Sequence, residues 1–527
     1  MVLAANGTTQ QTAVTIGNGF LRIDDIERLV LDGSPLSLSA QGLEKVEKCF
    51  QFLSDFSRSK VIYGINTGFG PMAQYKIEDD DLVELQYNLV RSHCSGSGQV
   101  VRPAFIKALM IIRLNTMMKG HSGVHPDLLH LLTELINNDV LPNIYEHGGL
   151  GASGDLVQLA HLGLCLIGEG KVRINGKEKQ AKEAFETLGL KPAQFHIREG
   201  LSILNGTSAM TGYGAINLIE SRNLLKWATL ASAMIIEIVQ SYDDYYSHEL
   251  NGVKHHPGQQ DIATNLRKIL EDSQLLKKRE VHLYQGETKE KIFEEKVQEY
   301  YSIRCVPQIL GPILETIEEA VRIVENEMNS ASDNPIIDAE RQNVFHGGNF
   351  HGDYVSLEMD KLKIAVSKMS MLIERQLNFL LNDQLNKILP PFANLGILGL
   401  NLGMQGAQFV ATSTTAENQT LSYPMYLHSI PSNKDNQDIV SMGANAALIT
   451  QKVIQNTYEI AAVLFGTIIQ SIDYLNIQDK MSACTRSLYE DLRKTIPAFE
   501  DDIIMYEFTH KVAEFLKEQD VDAYLPA

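Results

Sequence analysis

The segment from Ser356 to Leu389 limits how this chain can fold more than any other. Apolar side chains recur at Leu362, Val366, Met369, Ile373, Leu377 and Leu380, and the run stops at Pro390 and Pro391. Steps of three and four mark one face of an amphipathic helix, and prolines end helices. A helix of about 34 residues would span about 50 Å, longer than a small domain is wide. Such elements settle in a bundle or in an oligomer's core. Pro307 to Asn329 repeats the pattern with Ile309, Ile313, Ile317, Val321 and Val324. Val440 to Leu475 is a third such segment, without a charged residue from Ile460 to Ile472. A helix apolar all round is buried all round, and here the expected cover is other subunits.

The first 210 residues have a different grammar. Short helical stretches alternate with glycine loops, such as Tyr63 to Pro71, and with a hairpin around Asn175-Gly176, a dipeptide suited to two-residue turns. The expected fold is mainly α, a long-helix bundle core with a smaller mixed N-terminal region. Residues 1–17 read as a polar, disordered tail, 18–210 as the N-terminal region, and 211–527 as the bundle and C-terminal helices.

Lys and Arg total 46 against 65 Asp and Glu, a net charge of −19. That balance argues against nucleic acid or an anionic membrane surface as partner and leaves small molecules. The five cysteines are scattered, with no metal-ligand spacing, and read as reduced thiols. No apolar run reaches the roughly 18 residues of a membrane helix, and the start lacks the charged and apolar pattern of a signal peptide. A soluble, cytoplasmic protein is expected.

Chemistry concentrates at GGLGASGDLVQLAHLG, Gly148 to Gly163. Gly149, Gly151 and Gly154 spell G-x-G-x-x-G, a dinucleotide fingerprint when a buried strand precedes it. Here VLPNIYEHG precedes it, with Pro142 and charge where a central strand belongs. A nucleophile elbow, G-x-S-x-G, fails because Asp155 replaces its last glycine. A third chemistry remains. In a tightly bent loop the amide nitrogen of Gly154 can attack the carbonyl carbon of Ala152, closing a five-membered ring. Small neighbours are required, and glycine alone tolerates the dihedrals. Loss of the Ser153 hydroxyl as water then leaves an exocyclic methylene, an electrophile made from backbone.

With these residues the chain resembles the aromatic amino acid ammonia-lyases and aminomutases that make their own methylidene-imidazolone. The resemblance runs from about Asn18 to near Phe515. It implies 4-methylidene-imidazol-5-one formed from Ala152, Ser153 and Gly154, no external cofactor and no metal. YGINTGFG resembles the family's mobile tyrosine loop, implying Tyr63 as the base for a substrate β-proton, with Gly70 at the substrate. LNGT implies Asn205 against the ring and substrate. YSIRCVPQ implies Tyr301 beside the amino group and Arg304 as carboxylate clamp, a role suited to a planar, two-pronged guanidinium. SASDNP and GGNFHG imply Asn334 and Phe350 near the site. The resemblance also implies a homotetramer whose active sites draw on more than one subunit. Each residue alone has an ordinary structural explanation; their joint occurrence in family order carries the weight.

Two positions bear on substrate. Gln437 in DNQDIVSMG stands where histidine-specific members carry glutamate, which favours a neutral aromatic ring over an imidazole. Ser92 and His93 follow YNLVR; histidine lyases share Ser-His, while tyrosine aminomutases can also place histidine second. A pocket histidine suits a phenol, and the chain as a whole most resembles the short bacterial tyrosine lyases. The expected activity is conversion of L-tyrosine to trans-p-coumarate and ammonia. Phenylalanine or histidine lyase and tyrosine 2,3-aminomutase are the alternatives within the class. Outside it stand a nucleotide-dependent oxidoreductase and a catalytically silent helical scaffold.

Overall fold

A computed structural model describes residues 12–286, 291–293 and 296–526. The fold is mainly α, with a few small sheets. It divides into two compact units, each assembled from three stretches of chain. The first comprises Met1–Ile219, Ala320–Asp360 and Pro424–Ile449; the second, Glu220–Glu319, Lys361–Tyr423 and Thr450–Ala527. The expected region 18–210 therefore gains two later stretches that a reading by linear sequence assigns to the bundle. Of the expected tail, residues 1–11 lie outside the described residues. Val14–Ile16 instead forms a strand parallel to Leu36–Leu38, because Val14 and Ile16 are buried on alternate positions.

In the first unit, Pro103–Met117 is a helix with proline in its first turn, where the missing N–H costs nothing. Nearly every residue from Phe105 onward is buried, Arg113 included. The hairpin forms as expected: Lys171–Ile174 pairs antiparallel with Lys177–Gln180, and Asn175 and Gly176 turn it with φ of 49° and 73°. Leu141–Pro142 adds an edge strand to it, the position in which a sheet tolerates proline. Before the glycine loop stands Tyr145–His147, paired antiparallel with Ser97–Val100. A dinucleotide fold needs a parallel strand there.

In the second unit, Trp227 lies at the centre of an aromatic cluster. Its ring meets Phe465 edge-on at 5.8 Å and lies 5.9 Å from Tyr524, and its Nε1–H donates to the Leu516 carbonyl at 2.9 Å. Glu237 is buried and accepts from Ser482 N at 2.7 Å and Thr485 Oγ1 at 2.6 Å, at the start of the helix Ala483–Thr495. Burial pushes its carboxyl up to about 7.

The long helices sit close to their expected positions, with two corrections. Val306–Met328 matches Pro307 to Asn329 within a residue. The helix expected from Ser356 to Leu389 runs from Asp353 to Leu381. The Asn386 amide donates to the carbonyls of Phe379 and Asn382 at 3.0 and 2.8 Å, and Lys387 turns left-handed at φ 59°. Those bonds satisfy carbonyls that a continuing helix would have used. The second correction concerns Gly443–Leu475, whose apolar residues were expected to need other subunits. Residues 460–472 are buried within this single chain, so the apolar sequence reports a core helix.

Phe465 is fully buried. Phe465→Ala should destabilise the chain by about 3–5 kcal/mol. Trp227 is the sole tryptophan, so its fluorescence during urea unfolding reads the change, as an earlier transition.

Candidate active site

Three left-handed glycines bend the loop before the helix Leu156–Leu166: Gly148, Gly151 and Gly154, with φ of 126°, 74° and 77°. At Gly154 the requirement is steric as well as conformational. A β-carbon there would overlap the carbonyl of Gly206, and one on Gly206 would overlap Arg113. The two glycines meet backbone to backbone in a parallel bridge, and Asp155 N donates to Gly206 O at 2.8 Å. Elsewhere the loop is pinned by Met442 N to Leu150 O at 2.9 Å and Gly352 N to Gly151 O at 3.1 Å.

Beneath Gly206 lies a charge cluster. Arg113, Arg198 and Asp333 are fully buried. Arg113 Nη2 stands 3.3 Å from Asp333 Oδ1, and Ser122 Oγ donates to Asp333 Oδ2 at 3.0 Å. Burial lowers both guanidinium pKa values while Asp333 raises them. No motif marks these residues, although an arginine inside the apolar run ALMIIRLNT signals a buried partner.

Asp155 follows the tripeptide directly. Its Oδ2 accepts from Met210 N at 2.8 Å, near the start of Ser208–Ile238, and Oδ1 has no partner among the described residues. Burial pushes the carboxyl up to about 7, against the backbone hydrogen bonds that lower it.

Of the tripeptide, Ala152 and Gly154 are buried while Ser153 is half-exposed. Ser153 opens onto a cavity of about 910 Å³. Ser153 O accepts from Asn205 Nδ2 at 2.9 Å, and Ser153 Oγ accepts from Gln437 Nε2 at 2.9 Å. Asn205 Oδ1 accepts from Asn334 N at 2.7 Å, and Asn334 Oδ1 from Gly347 N at 2.9 Å. Tyr63, Gly70 and Phe350 line the same cavity, as do Ser92 and His93. Gly70 N donates to the Tyr63 hydroxyl oxygen at 3.1 Å. His93 Nδ1 lies 2.9 Å from the Leu89 carbonyl, which can only accept. Nδ1 therefore carries a proton, and Nε2 is the ring nitrogen left to face other partners.

Nine of the thirteen residues selected from sequence thus line one cavity, with Ala152 and Gly154 in the loop behind it. Tyr301 and Arg304 belong to the second unit, where the Arg304 guanidinium lies 4.7 Å from the Tyr301 ring centre. Lining residues that the sequence analysis missed include Asn433 and Lys434, close before Gln437 in the chain, and Leu89, one helical turn before His93. A larger cavity of about 1010 Å³ is lined from the helix Ala40–Phe56 and the Ile336–Asp338 hairpin. It contains none of the selected residues. Among the described residues no group of three His, Cys, Asp or Glu side chains is arranged to hold a metal, and no helix is long and apolar enough to cross a membrane.

A helical chain that presents a glycine-bent Ala-Ser-Gly to an aromatic-lined cavity defines a class, and comparison agrees. The chain belongs to the aromatic amino acid lyase family, whose model matches residues 21–494. A tyrosine 2,3-aminomutase from Myxococcus sp. (strain Mx-B0) is 40% identical over 485 residues, covering 91% of this chain and 92% of that one. A histidine ammonia-lyase from Bacillus cereus is 35% identical over 508 residues, covering 96% and 97%. The crystal structure of a tyrosine aminomutase from Streptomyces globisporus superposes with a TM-score of 0.92 at 32% identity, over 97% of this chain and 98% of that one.

The raised Asp155 carboxyl gives a signed pH dependence. Its folded value of about 7 exceeds the ordinary 3.8, so the folded chain holds a proton that the unfolded chain has released. Stability contributed by that proton is present below about pH 4 and declines by at most about 1.4 kcal/mol per pH unit up to about 7. Asp155→Asn keeps the acceptor for Met210 N without titrating. Its unfolding midpoint should therefore gain on the native chain between pH 5 and 7 and hold a constant lead above. A gap independent of pH would contradict the assignment.

Proposed function

We propose that the chain removes ammonia from L-tyrosine without oxidation, giving trans-p-coumarate, and that its electrophile is the methylidene-imidazolone ring of Ala152, Ser153 and Gly154. The observation that carries the reading is the hydrogen-bonded seat of Ser153 in a cavity that also holds His93 and Gln437. The residues fit such a ring. Gly154 and Gly206 leave room for backbone against backbone, and Asn205 already donates to the carbonyl that the ring would retain. That ring would supply an electron sink that turns the substrate's amino group into a leaving group.

The remaining chemistry falls to side chains. Tyr63, its oxygen held by Gly70 N, takes the β-proton. Arg304 holds the carboxylate and Tyr301 the amino group, in a homotetramer. Exposed apolar residues such as Tyr354 at 72%, Leu400 at 70% and Phe409 at 66% support assembly. His93 Nε2 accepts from the substrate's phenolic O–H, a partner that phenylalanine lacks. Gln437 offers a neutral amide where a carboxylate would attract an imidazole.

A second reading, tyrosine 2,3-aminomutase, is favoured by the 40% identity to an enzyme of that name. Both share the first elimination, so products decide. Purified chain and L-tyrosine should yield p-coumarate and ammonia, with none from Ser153→Ala. Accumulation of β-tyrosine would replace the lyase assignment with the mutase.

Selectivity has its own test. His93→Leu should reduce the preference for tyrosine over phenylalanine about 10- to 100-fold, as expected for one lost buried hydrogen bond. Gln437→Glu should raise turnover of histidine relative to tyrosine. An unchanged ratio of kcat/KM values in both variants would remove these residues from the recognition of the ring.

A further inference from the structure

The loop that carries Tyr63 is closed on itself. Gly68 N donates to Tyr75 O at 2.9 Å, Ile77 N donates to Asn66 O at 3.1 Å, and Thr67 pairs with Lys76 in an antiparallel bridge. Gly70 N returns to the Tyr63 hydroxyl oxygen at 3.1 Å, and Phe69 stands edge-on to the Tyr63 ring at 6.4 Å. These bonds give the loop its shape without fixing where it lies in the cavity. Two glycines, one at each end, meet the rest of the molecule. A β-carbon on Gly64 would overlap Leu201, on the short helix Glu199–Leu204 that leads to Asn205. A β-carbon on Gly70 would stand 2.7 Å from Asn433 Nδ2. Both glycines are left-handed, with φ of 70° and 52°.

Asn433 is itself held firmly. It opens a turn in which Asn433, Lys434 and Asp435 all adopt left-handed backbone, with φ of 55°, 53° and 58°. Side chains rarely take that conformation, asparagine more readily than most. Three backbone bonds close the turn: Ser432 N to Gln437 O at 3.1 Å, Gln437 N to Ser432 O at 3.3 Å, and Asn436 N to Asn433 O at 3.2 Å. The Asn433 side chain is therefore a fixed surface against which Gly70 lies, and Gly70 is the residue whose N–H holds the Tyr63 oxygen. Asn433, Gly70, Tyr63 and Ser153 line one cavity.

We propose that Asn433 is a positioning residue, which by bearing on Gly70 sets where the Tyr63 oxygen stands in the cavity. The inference rests on the reading of Tyr63 as the base. Displacing a reacting group by about 1 Å can cost about 100-fold in rate. In the proposed chemistry Arg304 holds the substrate carboxylate, so a shift of the loop falls on kcat and leaves KM nearly unaltered.

The test compares Gly70→Ala, Asn433→Gly and the double variant with the native chain. Glycine takes left-handed backbone freely, so Asn433→Gly removes the side chain and keeps the turn. Gly70→Ala should lower kcat on L-tyrosine about 100-fold and change KM less than about threefold, through overlap with Asn433 and through its left-handed backbone. Asn433→Gly relieves only the overlap. Alone it should lower kcat about 10-fold, yet added to Gly70→Ala it should raise kcat about 10-fold. A double variant as slow as the two single losses multiplied would overturn the proposal. The contact also has a readout independent of turnover, because Lys76 is protected by its bridge to Thr67. Trypsin cleavage after Lys76, identified by mass, should be about 10-fold faster in Asn433→Gly at unchanged circular dichroism, since cleavage follows the population of the opened loop. Equal cleavage rates would overturn the proposal. Faster cleavage beside a native chain that makes nothing from L-tyrosine would uphold the contact and overturn the reading of the reaction.

Discussion

Gly154 and Gly206 touch through their backbones, and the arrangement of the site follows from that contact. Neither position has room for a β-carbon: Gly154 faces a carbonyl, and Gly206 faces a buried guanidinium. Arg113 and Arg198 share one carboxylate, Asp333, at full burial. Such an assembly is expensive in desolvation and gives little net stability. What it achieves here is placement. Asp333 directly precedes Asn334, whose N–H holds Asn205, whose amide holds Ser153. The buried charge cluster and Ser153 are thus joined by a short chain of hydrogen bonds.

The glycine loop was legible because its residues answer to local geometry: left-handed φ at Gly148, Gly151 and Gly154, and a β-carbon excluded at Gly154. The hairpin at Asn175-Gly176 was legible for the same reason. Helix existence followed from apolar period, as Val306–Met328 illustrates. Helix ends and burial partners did not. The stop at Leu381 depends on the Asn386 amide folding back onto carbonyls, which apolar spacing does not encode. The cover over residues 460–472 comes from distant parts of the same chain, so their apolarity pointed to burial without saying by what. Arg113 escaped notice because its partner lies 220 residues away.

Relatives in this family carry names for different reactions on different amino acids, and one backbone serves them all. Substrate and outcome therefore reside in side chains placed on that backbone. In this chain the cavity presents a neutral amide at Gln437 and an imidazole at His93, the pair on which the proposed preference for a phenol rests. The left-handed turn at residues 433–435 directly precedes Asn436 and Gln437 and is closed by the backbone bonds between Ser432 and Gln437.

In the proposed chemistry Ala152, Ser153 and Gly154 become one electrophilic ring. Tandem mass spectrometry of a proteolytic fragment spanning the glycine loop tests it most directly. The expected result is a deficit of two water masses, confined to residues 152–154, with no backbone cleavage observed inside the ring. A fragment of full mass, cleaved normally between Ala152 and Ser153 and between Ser153 and Gly154, would contradict it.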